Sequence, residues 1–88
     1  MAPYRVLLKP SVEKDLRRIP KQTVGRLLQR IEGLAAEPFP VRSVKLAAAE
    51  ALFRIRVGDY RVIYAIDIGA RTVTIHYVRH RKDVYRGV

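Results

Sequence analysis

Residues 52–64 read Leu52-Phe53-Arg54-Ile55-Arg56-Val57-Gly58-Asp59-Tyr60-Arg61-Val62-Ile63-Tyr64, alternating strictly on both sides of a Gly-Asp pair. Such alternation marks each flank as a β-strand, and Gly-Asp between two such runs is a two-residue hairpin signal. A loop of that length sets Val57 opposite Tyr60, Arg56 opposite Arg61 and Arg54 opposite Ile63. One face of the hairpin then carries Phe53, Ile55, Val57, Tyr60, Val62 and Tyr64. The other carries Arg54, Arg56 and Arg61. Like charges set directly opposite on a sheet are destabilising. One arginine on a solvated face would need no further reason, but three that converge point to an anion. The hairpin reads as a phosphate-binding surface.

Upstream, Tyr4, Val6 and Leu8 alternate with Arg5, Leu7 and Lys9, which predicts a first strand. Pro10-Ser11 ends it, with Ser11 as candidate N-cap of a short helix carrying Val12, Leu16 and Ile19, and Glu13 and Asp15 in its first turn. Pro20 breaks that helix. Val24, Leu27, Leu28, Ile31, Leu34 and Ala35 then form a continuous apolar stripe on a second helix, closed by Pro38 and Pro40. Residues 41–51 suit a loop or a single helical turn equally well. Downstream of the hairpin, residues 67–71 carry a turn signal, and Thr72–Val78 is a β-branched run suited to a further strand. The order β-α-α-β-β-β predicts an α+β fold: a small, mainly antiparallel sheet with a helical hairpin packed on one face. Val73, Ile75 and Tyr77 are expected on the apolar face, with His76 and Val78 on the open side beside Ile63 and Arg61.

The 88 residues make one domain, 1–88. Without cysteine there is no disulfide framework and no thiolate metal site. No apolar run reaches the roughly 18 residues needed to span a bilayer, so a soluble cytoplasmic protein without a membrane partner is expected. Eighteen basic against eight acidic residues give a net charge of +10, and 13 of the 18 are arginine. Arginine's planar fork suits bidentate phosphate recognition. Solubility alone would account for some of that charge, but a polyanionic partner accounts for its arginine bias.

The tail, from Arg79 onward, is polar and basic, and His80 and Arg81 are expected near the Gly58-Asp59 end of the hairpin. A phosphodiester across the open face would meet Arg56 and Arg61 from adjacent strands, Arg54 further along, and Arg81 from the tail. Clustered guanidiniums stabilise the added charge of a pentacoordinate phosphorane. Tyr85 has three roles open to it: general base, stacking partner for a base, or an anchor that packs the tail on the sheet. Histidine's ordinary pKa lies near neutrality, which makes His76 and His80 candidate acid–base groups. Two histidines without Asp or Glu at ligand spacing make neither a metal site nor a cofactor site. Ser11 and Ser43 have no base nearby, which argues against a nucleophilic serine.

The same segments resemble the RelE/ParE superfamily of toxins of type II toxin–antitoxin systems. The resemblance is carried by Lys45-Leu46, by the run 52–64, and by the ending His80-Arg81-Lys82-Asp83-Val84-Tyr85. It implies a small sheet of about four strands with two helices on one side. For the RelE branch it implies a ribosome-dependent, metal-independent endoribonuclease cutting mRNA in the A site, with the substrate's own 2′-hydroxyl attacking the phosphate. Position by position, Arg54 and Arg56 match the two basic strand residues, Arg61 the phosphate-binding arginine, Arg81 the tail arginine and Tyr85 the tail tyrosine. Lys45 and His80 join them as substrate-side residues. Well-known RelE proteins carry lysine where this chain has Arg54 and Arg56, and arginine stabilises charge without acting as a base. The implied partners are a cognate antitoxin, in a hetero-oligomer, and the ribosome with its mRNA. Two other functions stay open: a ParE-type toxin acting on DNA gyrase, and a nucleic-acid-binding module without catalysis.

Overall fold

The computed structural model describes residues 3–39, 44–47 and 52–82, with the backbone alone over 44–47. Its elements are β1 (Arg5–Leu8), α1 (Pro10–Arg17), α2 (Lys21–Gly33), β2 (Val44–Ala47), β3 (Leu52–Val57), β4 (Tyr60–Asp67) and β5 (Thr72–His80). The strands form one mixed sheet in the order β1-β5-β4-β3-β2. β1 runs parallel to β5 and the other pairs are antiparallel. The α+β arrangement agrees with the sequence, with one strand added. Part of the segment expected as a loop or helical turn is β2, which pairs with β3 across a register irregularity between Lys45 and Ala47. Helix-forming composition yields there to the unpaired edge that β3 offers.

Pro10 occupies the first turn of α1, where its missing N–H costs no hydrogen bond and its φ suits the helix. The N-cap is therefore Lys9 rather than Ser11. Ser11 lies inside the helix and its hydroxyl donates to the His76 carbonyl at 3.0 Å. This contact matters for the sheet. β1 pairs with β5 only as far as Leu8 opposite Ile75, while β5 continues to His80. α1 covers the edge left open there: Ser11 takes one carbonyl, and the Asp15 carboxylate accepts the Val78 N–H at 3.0 Å. Side chains thus replace a strand, satisfying backbone groups that would otherwise be unpaired.

The core lies between the helices and one face of the sheet. Val12, Ile19, Leu27, Ile31 and Leu34 meet Ile55, Val57, Val62, Tyr64, Ile66, Val73, Ile75 and Val78. Burying each aliphatic side chain contributes roughly 1.5–3 kcal/mol. Tyr64 is fully buried, and its hydroxyl donates to the Pro38 carbonyl at 3.1 Å. Its ring stacks on Phe53, the cross-strand partner fixed by the hairpin register. Among the described residues no helix is long and apolar enough to cross a membrane.

Candidate nucleic-acid interface

The β3–β4 register is the one the Gly-Asp turn dictates: Val57 faces Tyr60, Arg56 faces Arg61, Arg54 faces Ile63 and Phe53 faces Tyr64. Gly58 has φ of 59° and Asp59 does not share the positive sign, the φ pattern of a type II′ turn. Arg61 reaches back over this turn, and its Nη1 donates to the carbonyls of Gly58 and Tyr60, both at 3.1 Å. The guanidinium is thereby tied down near the hairpin tip. Arg56 is exposed, and Arg54 and Arg61 are half-buried.

β5 departs from the expected phase. Its register against β4 runs Tyr64 opposite Ile75 and then Ile63 opposite Tyr77, so His76 is an extra residue with no partner in β4. One inserted residue moves every later side chain to the other face. Val78, expected on the open side, is 2% exposed in the core. Tyr77, expected in the core, stands opposite Ile63, and Arg79 stands opposite Arg61. The result is a row of three arginines, Arg56, Arg61 and Arg79, from three adjacent strands. Arg54, Ile63 and Tyr77 form the next row, where Ile63 is buried to 2% exposure.

Arg79 is held from two sides. Its guanidinium carbon lies 4.8 Å from the centre of the Tyr77 ring, a cation–π contact. Its Nε lies 3.6 Å from the Asp15 carboxylate, an ion pair too long to be a hydrogen bond. Sequence reasoning placed Arg79 in the tail and missed it as a member of the row. The signal was present but ambiguous, because the adjacent apolar pair Tyr77-Val78 fits either phase of the strand.

The remaining sequence-derived residues are spread around this row. Arg81 is exposed at the hairpin tip, where its backbone N–H donates to the Asp59 carbonyl at 2.7 Å. The bulge carries His80 to the other face: its ring meets Tyr60 edge-to-face at 5.4 Å, and its Nδ1 accepts the Lys82 N–H at 3.2 Å. His76 packs its ring 6.3 Å from Tyr77. The Lys45 backbone pairs with Phe53, and its side chain lies outside the described ones. Tyr85 lies outside the described residues. Chemically, the row offers charge-assisted donors to one extended anion from three strands, and their mutual repulsion falls when that anion binds.

Known proteins share this chain's sequence pattern and fold. The profile of the family described as "ParE toxin of type II toxin-antitoxin system, parDE" matches residues 6–85. The chain is 33% identical over 85 residues to the Toxin RelE of Mycobacterium tuberculosis, covering 96% of this chain and 88% of that protein. It is equally similar to Toxin RelG of the same organism, covering 96% of this chain and 98% of that one. Its fold matches the crystal structure of an archaeal RelE-RelB complex from Pyrococcus horikoshii with a TM-score of 0.81 and 33% identity, over 90% of this chain and 96% of that one.

Proposed function

This chain belongs to the RelE/ParE family of type II toxin–antitoxin toxins, and on that premise we propose that it is a ribosome-dependent endoribonuclease that cuts mRNA in the cytoplasm. The observation that carries this reading is the arginine row, Arg56, Arg61 and Arg79 in register on three adjacent strands. A protein acting only by docking on another protein has no need to keep the repulsion of Arg56 set directly opposite Arg61. A phosphodiester backbone supplies the charge that relieves it.

In this reaction the 2′-hydroxyl oxygen of the substrate attacks the adjacent phosphorus, and the bond from phosphorus to the 5′-oxygen breaks. The products are a 2′,3′-cyclic phosphate and a 5′-hydroxyl end. Arg56 and Arg61 hold the non-bridging oxygens and stabilise the charge that builds on them. Arg79 joins them from β5, and Arg81 reaches the same end from the turn that follows. Arg54 contacts the neighbouring phosphate, with Lys45 and His80 further out on the substrate. Arginine does not give up its proton. The proton of the 2′-hydroxyl therefore passes to another group, for which Tyr85 in its ionised form is the candidate, and the departing 5′-oxygen takes a proton from water. The chemistry needs no metal in this scheme. When stored, the toxin is covered by a cognate antitoxin whose acidic segment complements the basic face, as RelB accompanies RelE in the P. horikoshii complex.

The test is primer extension on an mRNA in a reconstituted translation reaction. The expected result is ribosome-dependent breaks within codons. Arg61→Ala and Arg79→Ala should each cut on the order of 10²–10³ more slowly, the usual cost of one charge-stabilising donor. Their melting temperatures should stay within a few degrees of the parent, because both side chains lie outside the core. Absence of breaks from folded, antitoxin-free protein overturns the reading. The family profile carries the ParE name, so gyrase-dependent DNA breakage is the second assay, and salt-sensitive nucleic-acid binding without cleavage the third.

A further inference from the structure

A cavity of about 420 Å³ opens beside the arginine row, lined by Asp15, Arg18, Ile19, Tyr60, Val78, Arg79 and His80. It lies between the C-terminal end of α1 and the C-terminal end of β5. Arg79 belongs to both places, because it stands opposite Arg61 in the row and also lines the cavity. The Tyr60–His80 pair is one register step beyond the Arg61–Arg79 pair, so the two sites adjoin around the edge of β5.

From this arrangement we infer that the cavity is a nucleobase subsite, taking the base of a nucleotide whose phosphate lies on the row. The inference rests on the ribonuclease reading above and adds to it a base-recognition site. The volume lies within the roughly 300–1,000 Å³ of small-molecule pockets. Ile19 and Val78 give an apolar floor, 8% and 2% exposed, and the edge-to-face pair of Tyr60 and His80 gives an aromatic wall. The Asp15 carboxylate and the C-terminal end of α1, capped at Arg18, offset much of the charge of Arg18 and Arg79, which makes the cavity a weaker anion site than the row. A neutral heterocycle with donors and acceptors suits it better. Asp15 is fixed by the Val78 N–H at 3.0 Å and by Arg79 at 3.6 Å, and it retains lone pairs for a base N–H. Arg18, exposed at the rim, and Arg79 donate to a base carbonyl. An acceptor beside donors matches the edge of guanine or uracil, where a carbonyl adjoins a ring N–H. Adenine has no carbonyl, and cytosine has no ring N–H beside its own. Phosphate on one side of β5 and base on the other would fix both register and nucleotide preference.

The experiment is an NMR titration of the purified full chain with the four nucleoside 3′-monophosphates and with inorganic phosphate. Nucleotides should move the signals of Ile19, Val78 and His80, guanosine and uridine at the lowest concentrations, while inorganic phosphate moves only those of the row. Arg18→Ala should weaken guanosine 3′-monophosphate binding on the order of tenfold and leave phosphate affinity unchanged. Inorganic phosphate moving the cavity signals as strongly, or nucleotides moving none of them, overturns the subsite. Primer extension separates this from the parent reading. Cleavage by Arg18→Ala and Asp15→Asn with an unaltered nucleotide preference removes the subsite and leaves the ribonuclease standing. Nucleotide binding in the cavity without any cleavage by the parent protein removes the ribonuclease and leaves the subsite.

Discussion

The two antiparallel pairings that β4 makes differ in what sets them. Against β3, a two-residue turn at Gly58-Asp59 fixes every pair from Val57–Tyr60 to Leu52–Ala65 without interruption. Against β5, the connection runs through Ile68 to Arg71, and the pairing slips at His76. The turn itself differs in kind. Gly58 meets the positive φ at no steric cost, whereas Arg71 takes φ of 55° as a non-glycine residue, with the Asp67 carboxylate accepting the Ala70 N–H at 2.9 Å inside the same turn. The lesson is that one side of the arginine row is set locally by a turn. The other is set by what packs on the far end of β5, namely Val78 against the core and Asp15 against its edge.

Val78→Asp would break this difference outright. Val78 is 2% exposed in the core, so the exchange buries an unpaired carboxylate at the far end of β5. The expected loss is about 3–5 kcal/mol, a large share of the stability of a small domain, visible as a lowered urea midpoint or an unfolded circular dichroism spectrum. A next smaller effect comes from Asp15→Ala, which leaves the Val78 N–H without its acceptor. Urea denaturation should show a loss of about 1–3 kcal/mol, and Asp15→Asn, which keeps an acceptor oxygen, should cost less. If Asp15→Ala is neutral, the α1 contact does not hold the slipped register and core packing alone does. The smallest effect is expected on the turn-governed side. Arg56→Thr removes one of two like charges from a directly opposed pair while keeping a good strand former. It should raise stability by about 0.2–1 kcal/mol and weaken RNA binding, with a shallower salt dependence.

The parts of the molecule that were legible in advance share this logic. The hairpin pairs, the helical stripe of Leu27, Ile31 and Leu34, and the opposition of Arg56 to Arg61 all follow from spacing within a few residues. β2 was not legible, because its four residues gain a strand conformation from pairing with β3 rather than from their own composition. Arg79 was not legible as a member of the row, because Tyr77 and Val78 are both apolar and only one of them fits the core. His80 stands near the Gly58-Asp59 end, as expected, and the extra residue at His76 sets its ring against Tyr60 rather than among the arginines.

The sequence by itself determined a basic, arginine-rich α+β domain, the register of its central hairpin, and a face with opposed guanidiniums. Those features are local, since a two-residue turn and a period of two leave the chain no alternative. Tertiary structure alone decided where Arg79 and His80 point, how α1 closes the open edge of β5, and that a cavity adjoins the row. Each of these depends on groups brought together across more than 60 residues, Ser11 with His76 and Asp15 with Val78. The competition between burying Tyr77 and burying Val78 is settled only once the core exists to receive one of them.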